Sequence, residues 1–335
     1  MSLPQPPDMT STRLKRDASA THVVAMLPWG DRFEDFHDKI EISLEAFAHQ
    51  FTGTWLFNYV EAMQRVGLAP VLFYVSARVA STVRFTHAPT GARVVVLPAP
   101  WVHRKLRGAQ ERYGRRSRQL TSIGSYVATP WFALGRELRR ERCAVILCHE
   151  YEHPRFDVAV WLGALLRMPV FATFQGADGP GSAVEVPLRR LAMRKAAGFI
   201  IAAGIERRRV RESYGVPSAK IAATPNPFDT RRWAPGDRTS VRKALGITSA
   251  AVVVEWQGRV QMSRKGLDVL LDAWGTVCDN LDEQLMLLLV GTGRDNEALR
   301  RAIRDSRHSA TIRWVDHYVL DRTLLWDYLS AADIA

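Results

Sequence analysis

The 335-residue sequence has few cysteines, no long apolar run and no excess of acidic residues. Its three cysteines, Cys143, Cys148 and Cys278, are scattered and odd in number, so they indicate neither a disulfide framework nor a metal site, and we expect a reducing, cytoplasmic location. The longest apolar candidate, residues 158–166, is far shorter than the roughly 18 residues that a membrane-spanning helix needs. The first 21 residues lack the apolar core of a signal peptide and are predicted to be a disordered lead.

Basic residues are abundant and unevenly placed. The chain has 46 Lys and Arg against 34 Asp and Glu, a net charge of +12. Residues 103–119 hold seven of the basic residues and one carboxylate, which is half of the excess. Such a segment can bind an anionic membrane surface or nucleic acid, or form a solvated helix face. No RNA-binding aromatic signature or helix-turn-helix pattern accompanies it, so we expect no nucleic-acid partner, and the other two readings stay open.

Short apolar runs alternate with helical patterns along the whole chain. The predicted strands are residues 22–27, 71–75, 93–97, 144–148, 170–174, 199–202, 221–224, 252–254, 285–290 and 311–315. This alternation is typical of parallel sheets with helices on both faces. We therefore predict an α/β chain with two Rossmann-like domains, residues 22–228 and 250–335, joined by a linker at residues 229–249.

A basic loop follows the strand predicted at residues 252–254. It carries Arg259, Arg264 and Lys265 and leads into a helix face that begins at Leu267. In an open α/β sheet, ligands bind beyond the carboxyl ends of the strands, and cations beside a helix N-terminus favour an anion there. Phosphate is the expected anion, although two loop cations taken alone are more often simply solvated.

The same loop carries a family resemblance. The pattern G-R-x(4)-R-K-G-L-D-x-L-L-x-A, residues 258–273, resembles the donor-phosphate loop of family 4 glycosyltransferases. The resemblance, strongest over residues 188–334, implies the GT-B fold and retention of anomeric configuration. It also implies that Gly258, Arg259 and Lys265 bind the diphosphate of a nucleotide-sugar, the latter two as catalytic groups. No D-x-D pair is present, so no metal or other cofactor is expected.

Further glycines complete the predicted donor site. Gly291 and Gly293 follow a strand in V-G-T-G, where glycine lets the backbone approach a nucleotide, although a plain turn is an alternative. Gly53 corresponds approximately to glycines that face the donor phosphates from the first domain of the family, and Gly30 is the competing candidate. Residues 316–319 are expected to border the base, or else to form a plain loop.

Four polar residues at strand ends are acceptor-side candidates: His149, Glu150, Gln175 and Asp178. Many relatives have a histidine in place of Gln175, and glutamine can donate a hydrogen bond but cannot act as a general base. His149 or Glu150 could replace it, with a structural role as the alternative for the histidine. The sequence does not specify whether the acceptor is a glycan, a lipid or a small molecule.

The sequence up to Ala335 lacks one motif of the family that it resembles. The family pattern continues with a Glu, seven residues and a second Glu, which do not occur before Ala335. We therefore expect a fragment whose second domain is incomplete and inactive alone, with an unpaired edge on its first strand. Two other functions stay open: an inert module that binds a nucleotide-sugar or phosphate, and a basic protein that contacts the membrane inner face through residues 103–119.

Overall fold

The structure, a computed structural model of the chain, describes residues 22–113, 124–176, 185–231 and 236–335. The predicted disordered lead, part of the basic segment (residues 114–119) and Asp178 lie outside the described residues. Within these limits the chain forms one sheet of eight strands and one of three, each covered by helices. The prediction of an α/β protein with two Rossmann-like units is confirmed.

The first sheet has the strand order β3-β4-β2-β1-β5-β6-β7-β8 in the described part of the chain. Its strands are β1 Val23–Leu27, β2 Ala69–Ser76, β3 Val83–Thr86, β4 Arg93–Pro98, β5 Cys143–His149, β6 Val170–Thr173, β7 Gly198–Ile200 and β8 Ile221–Ala222. All neighbours are parallel except β3 and β4. The sequence did not predict β3, because this short edge strand is largely exposed and has no continuous apolar run.

Helices cover both faces of this sheet. They are α1 Glu34–His37, α2 Leu44–His49, α3 Thr54–Arg65, α4 Trp101–Tyr113, α5 Trp131–Arg140, α6 Pro154–Leu166, α7 Glu185–Lys195 and α8 Gly204–Tyr214. Helix α5 begins only after Pro130, since proline cannot donate a backbone hydrogen bond and disfavours helical geometry at Thr129. Gly215 ends α8 in the left-handed conformation, which glycine adopts without a steric penalty.

Alternate residues of the central strands face two separate cores. Ala25 and Phe73 pack with Phe156 of α6, whereas Val24 and Leu72 pack with the aromatic side chains of α2 and α3. Burial on both faces explains why these strands appear in the sequence as nearly continuous apolar runs. The three cysteines are free thiols, and none of the described helices is both long and apolar enough to cross a bilayer.

The second sheet has the parallel strand order β11-β10-β9 in the described residues. Its strands are β9 Val252–Gln257, β10 Leu285–Val290 and β11 Ile312–Val315, and its helices are α9 Arg238–Ala244, α10 Leu267–Asn280, α11 Asn296–Asp305 and α12 Arg322–Ala331. The predicted linker thus contains a helix that joins this unit. The Arg242 guanidinium on α9 donates to the carbonyl oxygens of Ala331 (2.8 Å) and Ala251 (2.9 Å).

The outer edge of β9 is partly paired, which corrects the expected open edge. After α12 the chain returns along β9, where Ile334 forms a parallel bridge with Val254. The amide of Asp333 donates to the carbonyl of Val253 (2.8 Å), and the amide of Glu255 donates to the carbonyl of Ile334 (2.8 Å). These bonds cover a short part of a strand edge that would otherwise be free to pair elsewhere.

Candidate functional site

Two adjoining cavities lie in the cleft between the sheets, with volumes of about 430 Å³ and 400 Å³. Phe36, Trp55 and Arg259 line both, so they form the wall that the cavities share. The larger cavity is also lined by Thr52, Gly53, Gln257, Gly258, Lys265, Gly291, Thr292, Tyr318, Val319, Leu320, Arg322 and Trp326, among others. The smaller cavity is also lined by Trp29, His37, Lys39, Tyr74, Glu150, Gln175, Gln261, Arg264 and Arg294, among others.

The β9–α10 loop places Arg259 and Lys265 together at the larger cavity. The loop is folded back by hydrogen bonds from the Lys265 amide to the Gln261 carbonyl (3.0 Å) and from the Leu267 amide to the Met262 carbonyl (2.9 Å). Gly266, in the left-handed conformation, then begins α10. The predicted pair of cations is therefore fixed by local backbone geometry and faces the cleft.

Arg259 is half-buried and is not fully hydrogen-bonded by the described residues. Its guanidinium lies 5.7 Å above the ring of Phe36, and its Nε is buried without a hydrogen-bond partner among the described residues. Burial, together with the nearby Arg264 and Arg294, lowers the pKa of Arg259 from its usual value. A half-buried cation with a free donor is suited to an anionic ligand.

Three of the predicted donor-site glycines belong to two backbone segments that pack against each other. The amide of Gly258 donates to the Val290 carbonyl (3.0 Å), and the amide of Val260 donates to the Thr292 carbonyl (3.1 Å). A Cβ on Gly291 would overlap the carbonyl oxygen of Gly258, and a Cβ on Gly293 would lie 2.8 Å from the nitrogen of Val260. The neighbouring backbone therefore requires both glycines. Gly258 and Gly291 also line the larger cavity, whereas Gly293 lines neither.

Gly53 lines the larger cavity, but its competitor Gly30 lines neither. Gly53 precedes α3 and faces Tyr318, which belongs to the loop after β11. Two residues of the segment predicted to border the base, Tyr318 and Val319, line the same cavity. The structure thus brings Gly53 into one cavity with Arg259 and Lys265.

Contacts between the two units include residues that sequence reasoning missed. The guanidinium of Arg322, at the start of α12, donates to the carbonyl of Thr52 and forms an ion pair with Glu61 at 3.4 Å. The ring of Tyr318 lies 5.4 Å from that of Phe51. Nothing in the local sequence marks these partners, because they are more than 200 residues apart.

The acidic, aromatic segment after β1 was another missed contributor. It supplies Phe36 to the shared wall, and His37 and Lys39 to the smaller cavity. Burial lowers the pKa of His37 to about 4, and its ring stacks on that of Phe33 at 3.9 Å. The unusual composition of this segment, aromatic and charged together, was the available signal, although Phe36 and His37 lie in the short helix α1.

Glu150 and His149 are adjacent in sequence but differently placed. Glu150 lines the smaller cavity in a left-handed conformation (φ 103°), and its carboxylate accepts from the amides of Gln175 (3.2 Å) and Glu152 (3.3 Å). His149 is 1% exposed, packs against Trp55 with ring centroids 4.9 Å apart, and lines neither cavity. Burial lowers the pKa of His149 to about 3. This placement favours the structural role for the histidine.

Gln175 lines the smaller cavity and is held by the junction between the two units. Its amide exchanges hydrogen bonds with the side chain of Asn226 at 3.1 Å and 2.9 Å, and it also donates to Thr173 (3.0 Å). The Asn226 oxygen accepts in addition from the hydroxyl of Tyr59 (3.1 Å). Gln175 is therefore a rigid hydrogen-bonding group at the cavity wall.

The site as a whole combines fixed cations with aromatic walls and hydrogen-bonding groups. Such a cleft can hold an anionic, partly apolar ligand. Among the residues that the structure describes, no group of three His, Cys, Asp or Glu side chains is arranged to hold a metal ion. Metal independence itself stays a prediction.

A family model matches more than half of the chain. The model of Glycosyltransferase Family 4 matches residues 52–232 of the 335. This range lies mainly in the first unit, whereas the sequence motifs were strongest in the second.

Similarity to curated proteins is confined to short stretches. The chain is 38% identical over 68 residues to a D-inositol 3-phosphate glycosyltransferase of Geodermatophilus obscurus, which covers 20% of this chain and 15% of that protein. It is 29% identical over 117 residues to an enzyme of the same name from Actinosynnema mirum, covering 34% and 28%. The chain therefore matches less than a third of the length of either relative.

Solved structures share the fold over most of the chain. An Escherichia coli structure described as trehalose-6-phosphate bound with UDP-2-fluoro glucose has a TM-score of 0.64 at 10% identity, covering 93% of this chain and 77% of that one. The Anabaena protein HepE, in complex with UDP and glucose, has a TM-score of 0.59 at 13% identity, covering 93% and 72%. At these identities the likeness establishes the two-unit GT-B fold.

Proposed function

The chain belongs to glycosyltransferase family 4, and from this premise we propose that it transfers a sugar from a nucleotide-sugar donor to a hydroxyl group of an acceptor. The observation that carries the proposal is the placement of Arg259 and Lys265 at one cavity of the cleft, opposite Gly53. The UDP and UDP-sugar complexes of proteins with the same fold support the choice of donor.

The leaving group explains why these residues suit the reaction. When the bond between the sugar and the diphosphate breaks, negative charge grows on the phosphate oxygens, and fixed cations lower the energy of that state. Arg259 can donate a planar pair of N–H groups to one phosphate, while Lys265 supplies a compact charge. Such charge stabilisation needs no metal ion, and metal-independent transfer is part of the proposal.

Each cavity takes a distinct part of the reaction. The nucleoside diphosphate lies in the larger cavity, where the loop of Tyr318 and Val319 borders the base. The sugar lies at the shared wall, beside Arg259 and Trp55. An acceptor in the smaller cavity then approaches the anomeric carbon from the side on which the phosphate departs, so that the configuration is retained.

Titration of UDP into the 335-residue chain tests the donor site directly. We expect Arg259→Ala and Lys265→Ala each to weaken binding by about 10- to 100-fold, the size of one lost charge-assisted contact. Arg301→Ala is the matched control, because Arg301 is an exposed residue of α11 that lines neither cavity. Unchanged UDP affinity in both cleft variants, or no UDP binding by the wild type, would overturn the proposal.

A turnover measurement separates a transferase from an inert binding module. With UDP-sugars and a mixture of acceptors, a transferase releases UDP only as fast as glycosylated product forms. Product formation would contradict the expected inactivity of this chain alone, whereas binding without product would support the inert module and contradict sugar transfer by this chain. The same measurement after treatment with a chelator is expected to show unchanged turnover.

Helix α4 favours a second, peripheral role for the same protein. Trp101 is 62% exposed, and the Lys105 ammonium lies 5.0 Å above its ring. We propose that this helix contacts the anionic inner face of a membrane, where such an aromatic and basic surface binds. Trp101→Ser and Lys105→Gln are expected to reduce sedimentation with phosphatidylglycerol vesicles, unlike Arg304→Gln; equal sedimentation of all variants would contradict it.

A further inference from the structure

We propose that the smaller cavity binds an acceptor with a polyhydroxylated body and an anionic group, a phosphate or carboxylate, and that Arg264 and Arg294 bind the anion. The inference rests on the proposed transferase function and adds the chemical class of the acceptor. It also assigns a role to two arginines that line the smaller cavity but not the larger one.

The charge on the cavity wall is the first argument. Four cationic side chains line the smaller cavity, and the one carboxylate among its described lining residues is Glu150, which accepts two backbone amides. Within the described part of the chain, Arg264 has no carboxylate within salt-bridge distance. Arg294 pairs with the adjacent Asp295 at 3.5 Å, and this carboxylate also accepts the Met262 amide at 3.0 Å. Arg264 and Arg294 are therefore poorly neutralised by the described residues.

Mutual repulsion is the second argument. Arg264 and Arg294 approach Arg259 closely enough that, after burial, they are the next causes of its lowered pKa. Like charges held together at a cleft destabilise the empty site, and an anion bound between them relieves that repulsion. In the proposed function Arg259 and Lys265 bind the donor diphosphate in the larger cavity. The positive charge of Arg264 and Arg294 is then available to bind a second anion in the smaller cavity.

Hydrogen-bonding side chains of the smaller cavity indicate that the rest of the ligand carries hydroxyl groups. Gln261 is 7% exposed, lines the smaller cavity, and its side-chain oxygen has no hydrogen-bond partner among the described residues. A buried amide of this kind gains stability when a ligand hydroxyl completes its hydrogen bonds. Gln175 and Glu150 offer further partners from the opposite sheet. An apolar acceptor would leave the side-chain oxygen of Gln261 without a hydrogen-bond donor.

Aromatic walls and size narrow the class further. Trp29 and Tyr74 line the same cavity, and aromatic side chains supply apolar surface on which the C–H groups of a sugar or cyclitol ring can pack. The volume of about 400 Å³ is that of a small-molecule site. A phosphorylated or carboxylated monosaccharide or cyclitol fits these features, whether it is free in solution or forms the headgroup of a lipid.

The experiment compares matched polyols with and without the anion. Glucose, glucose 6-phosphate, glucuronate, myo-inositol and a myo-inositol monophosphate are titrated into the chain saturated with UDP. We expect at least one anionic member to bind at least tenfold more tightly than its neutral parent. Arg264→Gln and Arg294→Gln should each reduce that preference at least fivefold and together abolish it, whereas Arg301→Gln should leave it intact.

The UDP affinity of the same variants identifies which idea fails. The double variant is expected to bind UDP within twofold of the wild type. If the wild type binds UDP but shows neither a preference for an anionic probe nor vesicle binding through Arg264 and Arg294, the acceptor assignment alone is overturned. Weakened UDP binding in the arginine variants would instead assign both residues to the donor and overturn the inference. Failure of the wild type to bind UDP is the separate failure of the proposed function.

A vesicle arm distinguishes a free acceptor from a lipid one. Sedimentation with phosphatidylinositol vesicles that depends on Arg264 and Arg294 indicates a lipid headgroup. Vesicle binding that ignores both arginines, combined with tight binding of a soluble anionic probe, indicates a free small molecule. Either result supports an anionic acceptor. A wild type that binds neither the vesicles nor a soluble anionic probe contradicts it.

Discussion

The phenol oxygen of Tyr318 occupies the space that a Cβ on Gly53 would need. The same Cβ would also lie 3.0 Å from Cζ of the tyrosine ring. Gly53 has φ −67°, a conformation that any residue adopts, so its own backbone does not require glycine. The requirement comes from the other unit of the protein, so the distance between Gly53 and Tyr318 depends on how closely the two units approach at the larger cavity.

We predict that Gly53→Ala weakens UDP binding by about tenfold, because Tyr318 must move or the units must separate. Replacing Tyr318 by Phe removes the overlapping oxygen and should restore part of the loss. A double-mutant cycle on UDP affinity measures this coupling. Additive effects of the two substitutions would show that the contact does not control closure of the cleft.

A different glycine is expected to be required for folding. Gly291→Ala places a Cβ against the backbone of Gly258 at φ +135°, where no flexible side chain can yield. We expect it to lower the free energy of unfolding by about 2–4 kcal/mol in urea titrations. Gly275→Ala is the matched control: Gly275 lies in α10 with open space around it, so the change should stabilise by about 0.5–1 kcal/mol. Equal effects would contradict the packing argument.

His149 should make the protein less stable in mild acid. Its pKa is about 3 in the folded protein against 6.5 for an ordinary histidine, so below pH 6.5 the unfolded chain binds a proton that the folded chain does not. Stability is lost as the pH falls from 6.5 towards 3, at up to about 1.4 kcal/mol per pH unit.

His149→Phe keeps the aromatic packing and removes this titration. Between pH 6.5 and 5 the variant should lose about 2 kcal/mol less stability than the wild type in urea unfolding. His22→Phe, at an exposed histidine, serves as the control. Parallel pH profiles for wild type and His149→Phe would show that the histidine is not buried in the neutral form. UDP binding by the variant should be unchanged, since His149 lines neither cavity.

Glu255 should have the opposite dependence on pH. Burial in β9 raises its pKa from 4.5 to about 7, so the folded chain keeps a proton that the unfolded chain releases, and stability is lost as the pH rises from 4.5 through 7. Glu255→Gln should therefore stabilise the protein at pH 8 by on the order of 2 kcal/mol and change it little at pH 4. Glu283→Gln is the exposed control. A stability gain that is equal at both pH values would rule out titration as its cause.

Local patterns explain why much of the site was predictable. The strand, the basic loop and the helix from β9 to α10 are contiguous, so the six-residue spacing of Arg259 and Lys265 fixes their relation before any long-range contact forms. The V-G-T-G turn could also be recognised in the sequence. The steric requirement for glycine at Gly291 could not, since the neighbouring backbone of Gly258 comes from another loop. The burial of His149 was equally hidden, because Trp55 and Tyr59 reach it from a distant helix.

By itself the sequence determined the α/β class, the two sheets and the basic loop between β9 and α10, because each depends on the period of apolar residues or on neighbours in the chain. Only the tertiary structure decided that Phe36, Tyr318 and Arg294 join that loop around two cavities. These residues come from segments far apart in the chain, and their meeting depends on how the two sheets pack. The partial pairing of β9 by residues 333 and 334 has the same cause, since α12 must first return the chain to that edge.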